Sequence, residues 1–166
     1  MKIDYIIPTL YRPTLSRTIA SIQSEGREHN LFICGTQKSA GENRNECLKQ
    51  VKTSDWVVFV DDDDYLKNGH KKVLSESQDC DVVILRMKQG ENIIPRYENR
   101  VIESGNVGIN FALKTEFYLK HKFLFDNQGR EEDWRFLTKV FAKTQKIKVT
   151  DNIYYIAPII QHLKKQ

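Results

Sequence analysis

Trp56-Val-Val-Phe-Val60 is an unbroken apolar run, and it ends in four carboxylates, Asp61, Asp62, Asp63 and Asp64. The run is rich in β-branched and aromatic residues, which fits a strand buried on both faces, as in a parallel sheet. Four adjacent like charges at the end of such a strand disfavour folding unless something positive binds there. Open α/β sheets hold their ligands at the carboxyl ends of their strands. A divalent cation holding a phosphate is the simplest occupant, because hard cations take carboxylate, phosphate and water oxygens. The plain alternative is a solvated acidic turn.

The chain has 166 residues, enough for one domain with a real core. Its longest apolar stretch is far short of the roughly 20 residues that cross a bilayer. Met1-Lys-Ile-Asp-Tyr-Ile-Ile-Pro8 runs straight into a strand pattern with no secretory signature, so a cytoplasmic protein without integral membrane contact is expected. Cys34, Cys47 and Cys80 match no metal-ligand spacing and read as reduced thiols packed in a core. The formal net charge of +4 suits an anionic substrate or a nucleic acid without pointing to either. The basic residues from Lys139 to Lys148 and at Lys164-Lys165 are explained equally well by a solvated helix face and terminus.

Taken in order, Ile3 to Ile7 reads as a first strand, and Pro13 suits the start of a helix reaching Ser24. Leu31 to Cys34 is a short second strand. Ser39-Ala-Gly-Glu42 has the spacing of a capping box and predicts a helix to about Val51. Arg44 and Asn45 fall in its first turns. A helix N-terminus with an Arg beside it is a good phosphate neighbour, but a surface pair of Arg44 with Glu42 or Glu46 explains it as well. After the acidic turn, Leu66, Val73 and Leu74 predict a third helix ending near Gln78, and Asp81 to Leu85 a further buried strand. The order βαβαβαβ argues for a parallel sheet flanked by helices.

Beyond Arg86 the pattern changes. Residues Arg86 to Ser104 predict a hairpin or an excursion over the site, and Val107 to Leu113 a strand with Gly105 and Gly108 beside it. Such glycines mark close approach of a ligand or another segment. A short helix is expected over Lys114 to His121, and a turn at Asn127-Gln-Gly-Arg130. An amphipathic helix from Glu131 should follow, with Trp134, Leu137, Val140 and Phe141 inward. Two last strands are expected at Ile147–Val149 and Ile153–Ile156.

These segments together resemble a family. Ile6-Ile-Pro-Thr-Leu-Tyr-Arg-Pro13 looks like the opening strand and turn of family-2-type nucleotide-sugar glycosyltransferases with the GT-A fold. Gly41-Glu-Asn-Arg-Asn45 resembles their Arg-Asn pair at a helix start. Phe59-Val-Asp-Asp-Asp-Asp64 resembles the metal-binding Asp-x-Asp turn, Val107-Gly108 the glycine-bearing strand, and Gly129-Arg-Glu-Glu-Asp-Trp134 the motif that carries the catalytic base. The order holds from Ile3 to His162. The resemblance implies a single α/β GT-A-like (Rossmann-like) domain over 1–166, with a mostly parallel central sheet and the ligand site at its strand carboxyl ends. Residues 1–85 would form the nucleotide- and metal-binding half, and 86–166 the acceptor and catalytic-base half.

Residue by residue, it implies that Pro8, Thr9, Arg12, Arg44, Asn45, Asp61 and Asp62 bind the nucleotide sugar. Asp63, Asp61 and His162 would hold Mn²⁺ or Mg²⁺, and Asp64 would orient the turn. Asp133 would be the base, with Glu132 beside it. The chain departs from the family after the second strand, where Phe32-Ile-Cys-Gly-Thr36 lacks the acidic residues that help read the base. The short chain implies an acceptor side, from Arg86 to Ser104 and the C-terminus, that is small or borrowed from a homo-oligomer.

The implied reaction is metal-dependent, inverting transfer from a nucleotide-diphosphate sugar, UDP by the family lean. The acceptor is a hydroxyl on a glycan or lipid-linked glycan by default, with a protein or a hydroxylated DNA base also open. The cation would stabilise the leaving diphosphate, with Arg44 or Lys38 adding charge. A base on the opposite face would take the acceptor proton. A helix N-terminus lowers the pKa of Asp133, whereas Glu131 and Glu132 raise it, and sequence leaves that balance open. Two rival readings stand beside this one: a non-catalytic nucleotide-sugar-binding relic, and an Asp-dependent phosphatase.

Overall fold

The Trp56 run pairs on both sides, and that makes it the centre of the molecule. In the computed structural model, which describes residues 1–36, 38–97, 102–129 and 131–158, β3 (Trp56–Phe59) lies parallel to β1 (Ile3–Pro8) and antiparallel to β7 (Phe111–Lys114). All four residues of β3 are buried, as a strand covered on both faces requires. Helix α1 (Leu15–Gln23) returns the chain to β2 (His29–Cys34), which pairs parallel to β1. Helix α2 (Ala40–Leu48) then leads into β3. The capping box expected at Ser39 and Glu42 is formed in both directions.

Past the acidic turn the structure departs from the sequence pattern. Leu66 is not helical. Tyr65–Leu66 is a short strand, β4, drawn onto Tyr155 and Ile156, and helix α3 begins only at His70 and ends at Ser75. Strand β5 (Val82–Gln89) and β6 (Asn92–Ile94) form the hairpin expected after Arg86. Residues 107–110 are not a strand. The Asn110 side chain accepts from Gly108 N–H at 2.9 Å and donates to the Leu85 carbonyl at 2.6 Å, so pairing starts only at Phe111. What closes on Gly108 is Met87: an added Cβ would sit 3.3 Å from its Cε.

Helices α4 (Thr115–His121) and α5 (Glu132–Phe141) follow, and the last strand, β8, runs Ile147–Ala157. It replaces the two strands expected there. A bulge near Asp151 keeps it continuous, with Thr150 Oγ1 accepting from Arg86 N–H at 2.8 Å.

The sheet order is β2-β1-β3-β7-β5-β8-β4, with β6 on β5. The sheet is mixed: β7, β4 and β6 run against the rest. Strands β7 and β8, from after residue 85, lie between β3 and β4, from before it, so the two sequence halves share one sheet. Helices flank it as the α/β reading requires.

An aromatic cluster fills the core beneath the strand ends. Phe125 and Phe136 stack at 4.1 Å, and Phe59 meets Phe111 at 4.9 Å and Phe136 at 5.8 Å. Such ring pairs add about 0.5–1.5 kcal/mol each beyond their buried area. Phe136, Leu137 and Val140 are the buried face of α5; Trp134 and Phe141, expected inward, are only partly buried. Cys47 is buried, and Cys34 and Cys80 are half-buried free thiols. Among the described residues no helix is long and apolar enough to cross a membrane.

Candidate active site

The acidic turn leaves β3 at its carboxyl end, and each of its four carboxylates is used differently. Asp62 is 3% exposed and fully engaged. Its Oδ2 accepts from Thr9 Oγ1 and from Leu10 N–H, each at 2.8 Å, and its Oδ1 accepts from Arg12 Nη1 at 3.2 Å. Asp62 therefore clamps the loop after β1. Arg12 reaches Asp63 as well, and Arg17 donates to the Asp63 carbonyl at 2.7 Å. Asp64 is buried: Thr18 donates to its carbonyl at 2.6 Å and Tyr155 Oη to its Oδ2 at 2.7 Å. The Tyr155 oxygen also accepts from Asp61 N–H at 3.2 Å. Strand β8 thus braces the turn from behind.

Asp61, Asp63 and Asp64 each offer an oxygen, all within 4.8 Å of one another. Three hard oxygen donors fit Mg²⁺ or Mn²⁺. Electrostatics point the same way. Burial, with Asp61 and Asp63 nearby, pushes the Asp64 carboxyl up to about 8 despite the Tyr155 hydrogen bond. Burial also raises Asp63, helped by Asp61 and Asp62 and opposed by Arg12. The cluster is short of positive charge, which a cation would supply.

A stability consequence follows for the metal-free protein. A carboxyl whose folded pKa lies above its unfolded value favours folding at low pH, and that contribution is lost as pH rises from about 4 toward 8. Asp64→Asn keeps the Tyr155 hydrogen bond and removes the charge. It should stabilise the metal-free protein at pH 8 by on the order of 2 kcal/mol, and by much less at pH 5. Denaturant melts at the two pH values measure this. Equal effects at both would mean that Asp64 carries no uncompensated charge.

The carboxylates at the start of α5 meet this turn through Arg44, which is 2% exposed. Its Nη2 donates to Asp61 Oδ1 at 2.7 Å, and its Nη1 to Asp133 Oδ1 at 3.2 Å and to Glu132 Oε1. Its guanidinium lies 5.1 Å from the Phe125 ring centre. Burial opposes the charge, but Asp61, Asp133 and Glu132 outweigh it and hold the pKa above the ordinary arginine value. Neither Glu42 nor Glu46 is its partner: Arg44 points across the molecule, not along its own helix. Gly41 makes the approach of α5 to α2 feasible, since a Cβ there would lie 2.7 Å from Glu132 Oε2.

Asp133 is half-buried at the start of α5. Burial is the leading cause that pushes its carboxyl up to about 6; Asp61 and Glu132 add to it, and Arg44 works against it. The balance that sequence leaves open is thus decided upward by burial. Glu131, just before α5, holds a left-handed φ of 65° and accepts from Ser104 Oγ at 3.0 Å. Tyr11, at the rim of the opposite loop, has φ 57°. Non-glycine residues in this region cost energy and concentrate at functional sites.

A pocket of about 450 Å³ opens between the β1 loop, the start of α2 and the acidic turn. Pro8, Thr9, Arg12, Asp61, Asp62 and Asp63 all border it. Arg44 does not border it, and Asn45 faces the other side of α2, where its amide binds the Phe125 backbone in both directions at 2.9 Å. Asn43, two residues earlier, lines the pocket instead. His162 and the terminal lysines lie outside the described residues. Asn43, Tyr155 and Phe125 were not singled out from sequence. Asn43 sits inside the quoted Gly-Glu-Asn-Arg-Asn segment, and helical spacing alone would have put it on a different face from Asn45.

No protein-family model matches the chain, and no curated protein matches it. Solved structures do match its fold. S. aureus TarS 1–349 in complex with UDP-GlcNAc superposes with a TM-score of 0.79 at 20% identity, over 97% of this chain and 59% of that one. TarS 1–349 without a named ligand gives 0.77 at 20% identity, over 95% and 60%. A197 from STIV gives 0.61 at 17% identity, over 90% and 82%. The likeness is one of fold, and the fold is a GT-A-like glycosyltransferase fold with a mixed sheet. The chain spans about three fifths of the TarS 1–349 chain it matches.

Proposed function

We propose that this chain is a metal-dependent, inverting glycosyltransferase that moves a hexosyl group from a UDP-sugar to an acceptor hydroxyl. One observation carries the reading: Arg44 joins a three-carboxylate cation site at the end of β3 to a carboxyl raised to about 6 at the start of α5. A solved TarS complex holds UDP-GlcNAc and another holds UDP, which supports a uridine nucleotide donor.

A divalent cation held by Asp61, Asp63 and Asp64 would supply Lewis-acid stabilisation of the leaving diphosphate. Pro8, Thr9 and Arg12 shape the nucleotide pocket, and Lys38 at its rim adds positive charge. Asp133 takes the proton of the attacking hydroxyl, and a pKa near neutrality suits that task. Glu132 and Arg44 position it. A single base opposite the leaving group corresponds to direct displacement with inversion. The acceptor, a glycan or lipid-linked glycan by the resemblance, is assigned to the open cavity of about 890 Å³ between the β5–β6 hairpin and residues 103–106. Ser104 ties that cavity to the start of α5.

Thermal unfolding tests the donor site. UDP or UDP-GlcNAc at 100 times its Kd should add about 2.7 kcal/mol in the presence of Mn²⁺, a rise of about 5–11 °C for a domain of this size. The rise should vanish with a chelator and in Asp63→Ala. No shift with any nucleotide would remove the reading.

A further inference from the structure

Asn43 closes the first turn of α2 and is 2% exposed, yet it lines the pocket. Its Oδ1 accepts from Thr36 Oγ1 at 2.6 Å. The Thr36 oxygen also accepts from Lys38 N–H at 3.2 Å while its proton goes to Asn43. With Oδ1 taken by Thr36, Nδ2 is left for the pocket. Among the described residues Nδ2 donates to no protein group. Nδ2 is not one of the fully buried unpaired atoms, so it meets solvent in the pocket, where a ligand acceptor can take the place of water.

The surroundings of Asn43 say which part of a ligand that is. The start of α2 is closed by its own capping box, which takes up N–H groups an anion would need, and Lys38 on the same rim is drawn to Glu46 at 3.7 Å. Arg44 does not border the pocket, and its two terminal nitrogens are held by carboxylates. A cation and the diphosphate belong at the other end, at Asp61 and Asp63. What remains at Asn43 is a neutral, donor-only contact. Its match is a neutral group with an exposed keto oxygen.

We infer that Asn43, oriented by Thr36, reads a keto oxygen of the donor nucleobase and selects uracil over cytosine, whose 4-amino group is itself a donor. The inference rests on the nucleotide-sugar reading. It also gives this chain a means of base recognition where the acidic residues after the second strand are missing. Uracil O4 and guanine O6 share the chemistry. Binding of UDP, CDP and GDP, each with Mn²⁺, to wild type, Asn43→Leu and Thr36→Val by titration calorimetry tests it.

Wild type should bind UDP at least about tenfold tighter than CDP. Asn43→Leu should weaken UDP about 10- to 100-fold, leave CDP within about twofold, and so erase the preference. Thr36→Val should shift the ratio the same way by less. The same pattern with GDP in place of UDP would support the keto contact with guanine as its source. Equal UDP and CDP affinity in wild type, or equal weakening of both in Asn43→Leu, would overturn the inference and leave the donor site standing. Failure of wild type to bind any nucleotide would overturn the underlying reading and the inference with it. Melting temperatures of the variants separate lost folding, which lowers all three affinities together, from a lost base contact.

Discussion

Asp133→Asn is expected to lower sugar transfer by on the order of 10²–10⁴-fold while leaving donor affinity within about twofold. The substitution keeps the shape and the hydrogen bond from Arg44 but cannot accept the acceptor proton. Because burial holds the Asp133 carboxyl near 6, its basic form grows as pH rises through that value. The wild-type rate should therefore climb between about pH 5 and 7 and then level off. Release of nucleotide from the donor, followed across that range alongside a binding isotherm, reads both effects. Full turnover by the Asn variant would take the role away from Asp133, and Glu132 would be the next residue to change.

Arg44→Met is expected to be the most destabilising single substitution in the site. Arg44 is nearly buried and faces Asp61, Glu132 and Asp133. Removing the buried arginine leaves three partly shielded carboxylates facing one another, at a cost of about 3–5 kcal/mol. In a domain of this size that lowers Tm by about 6–20 °C. The three carboxylates then repel one another, so the loss should be larger at pH 8 than at pH 5, where protonation relieves it. Arg44→Lys should recover only part of it, since an ammonium cannot reproduce the two-nitrogen fork. Melting temperatures of the three proteins at both pH values decide this. An unchanged Tm in Arg44→Met would mean that the contacts across α2, the acidic turn and α5 contribute little.

Arg44 also shows where sequence reasoning reaches its limit. Its position at the start of a helix raised two local possibilities, a phosphate or a neighbouring Glu. Its partners are 17, 88 and 89 residues away. No local spacing carries that information, because the contact exists only once the turn after β3 and the start of α5 are both brought to the Arg44 guanidinium. Asn45 followed the same course: a motif position suggested a ligand, and the fold gave its amide to the Phe125 backbone. Leu66 did too, with a helical spacing overridden by pairing to β8.

The acidic turn, the strand before it and the capping box of α2 were legible in the sequence because each depends on neighbours a few residues apart. An apolar run specifies a buried strand, Ser39 and Glu42 satisfy one helix end between themselves, and four adjacent aspartates repel wherever the chain goes. The tertiary structure alone decided which carboxylates converge, that Asp62 clamps a loop while Asp64 leans on Tyr155, and that burial sets the Asp133 proton near neutrality. Those properties are set by distance through space and by exclusion of water. Both arise only when segments far apart in the chain are brought into one low-dielectric site.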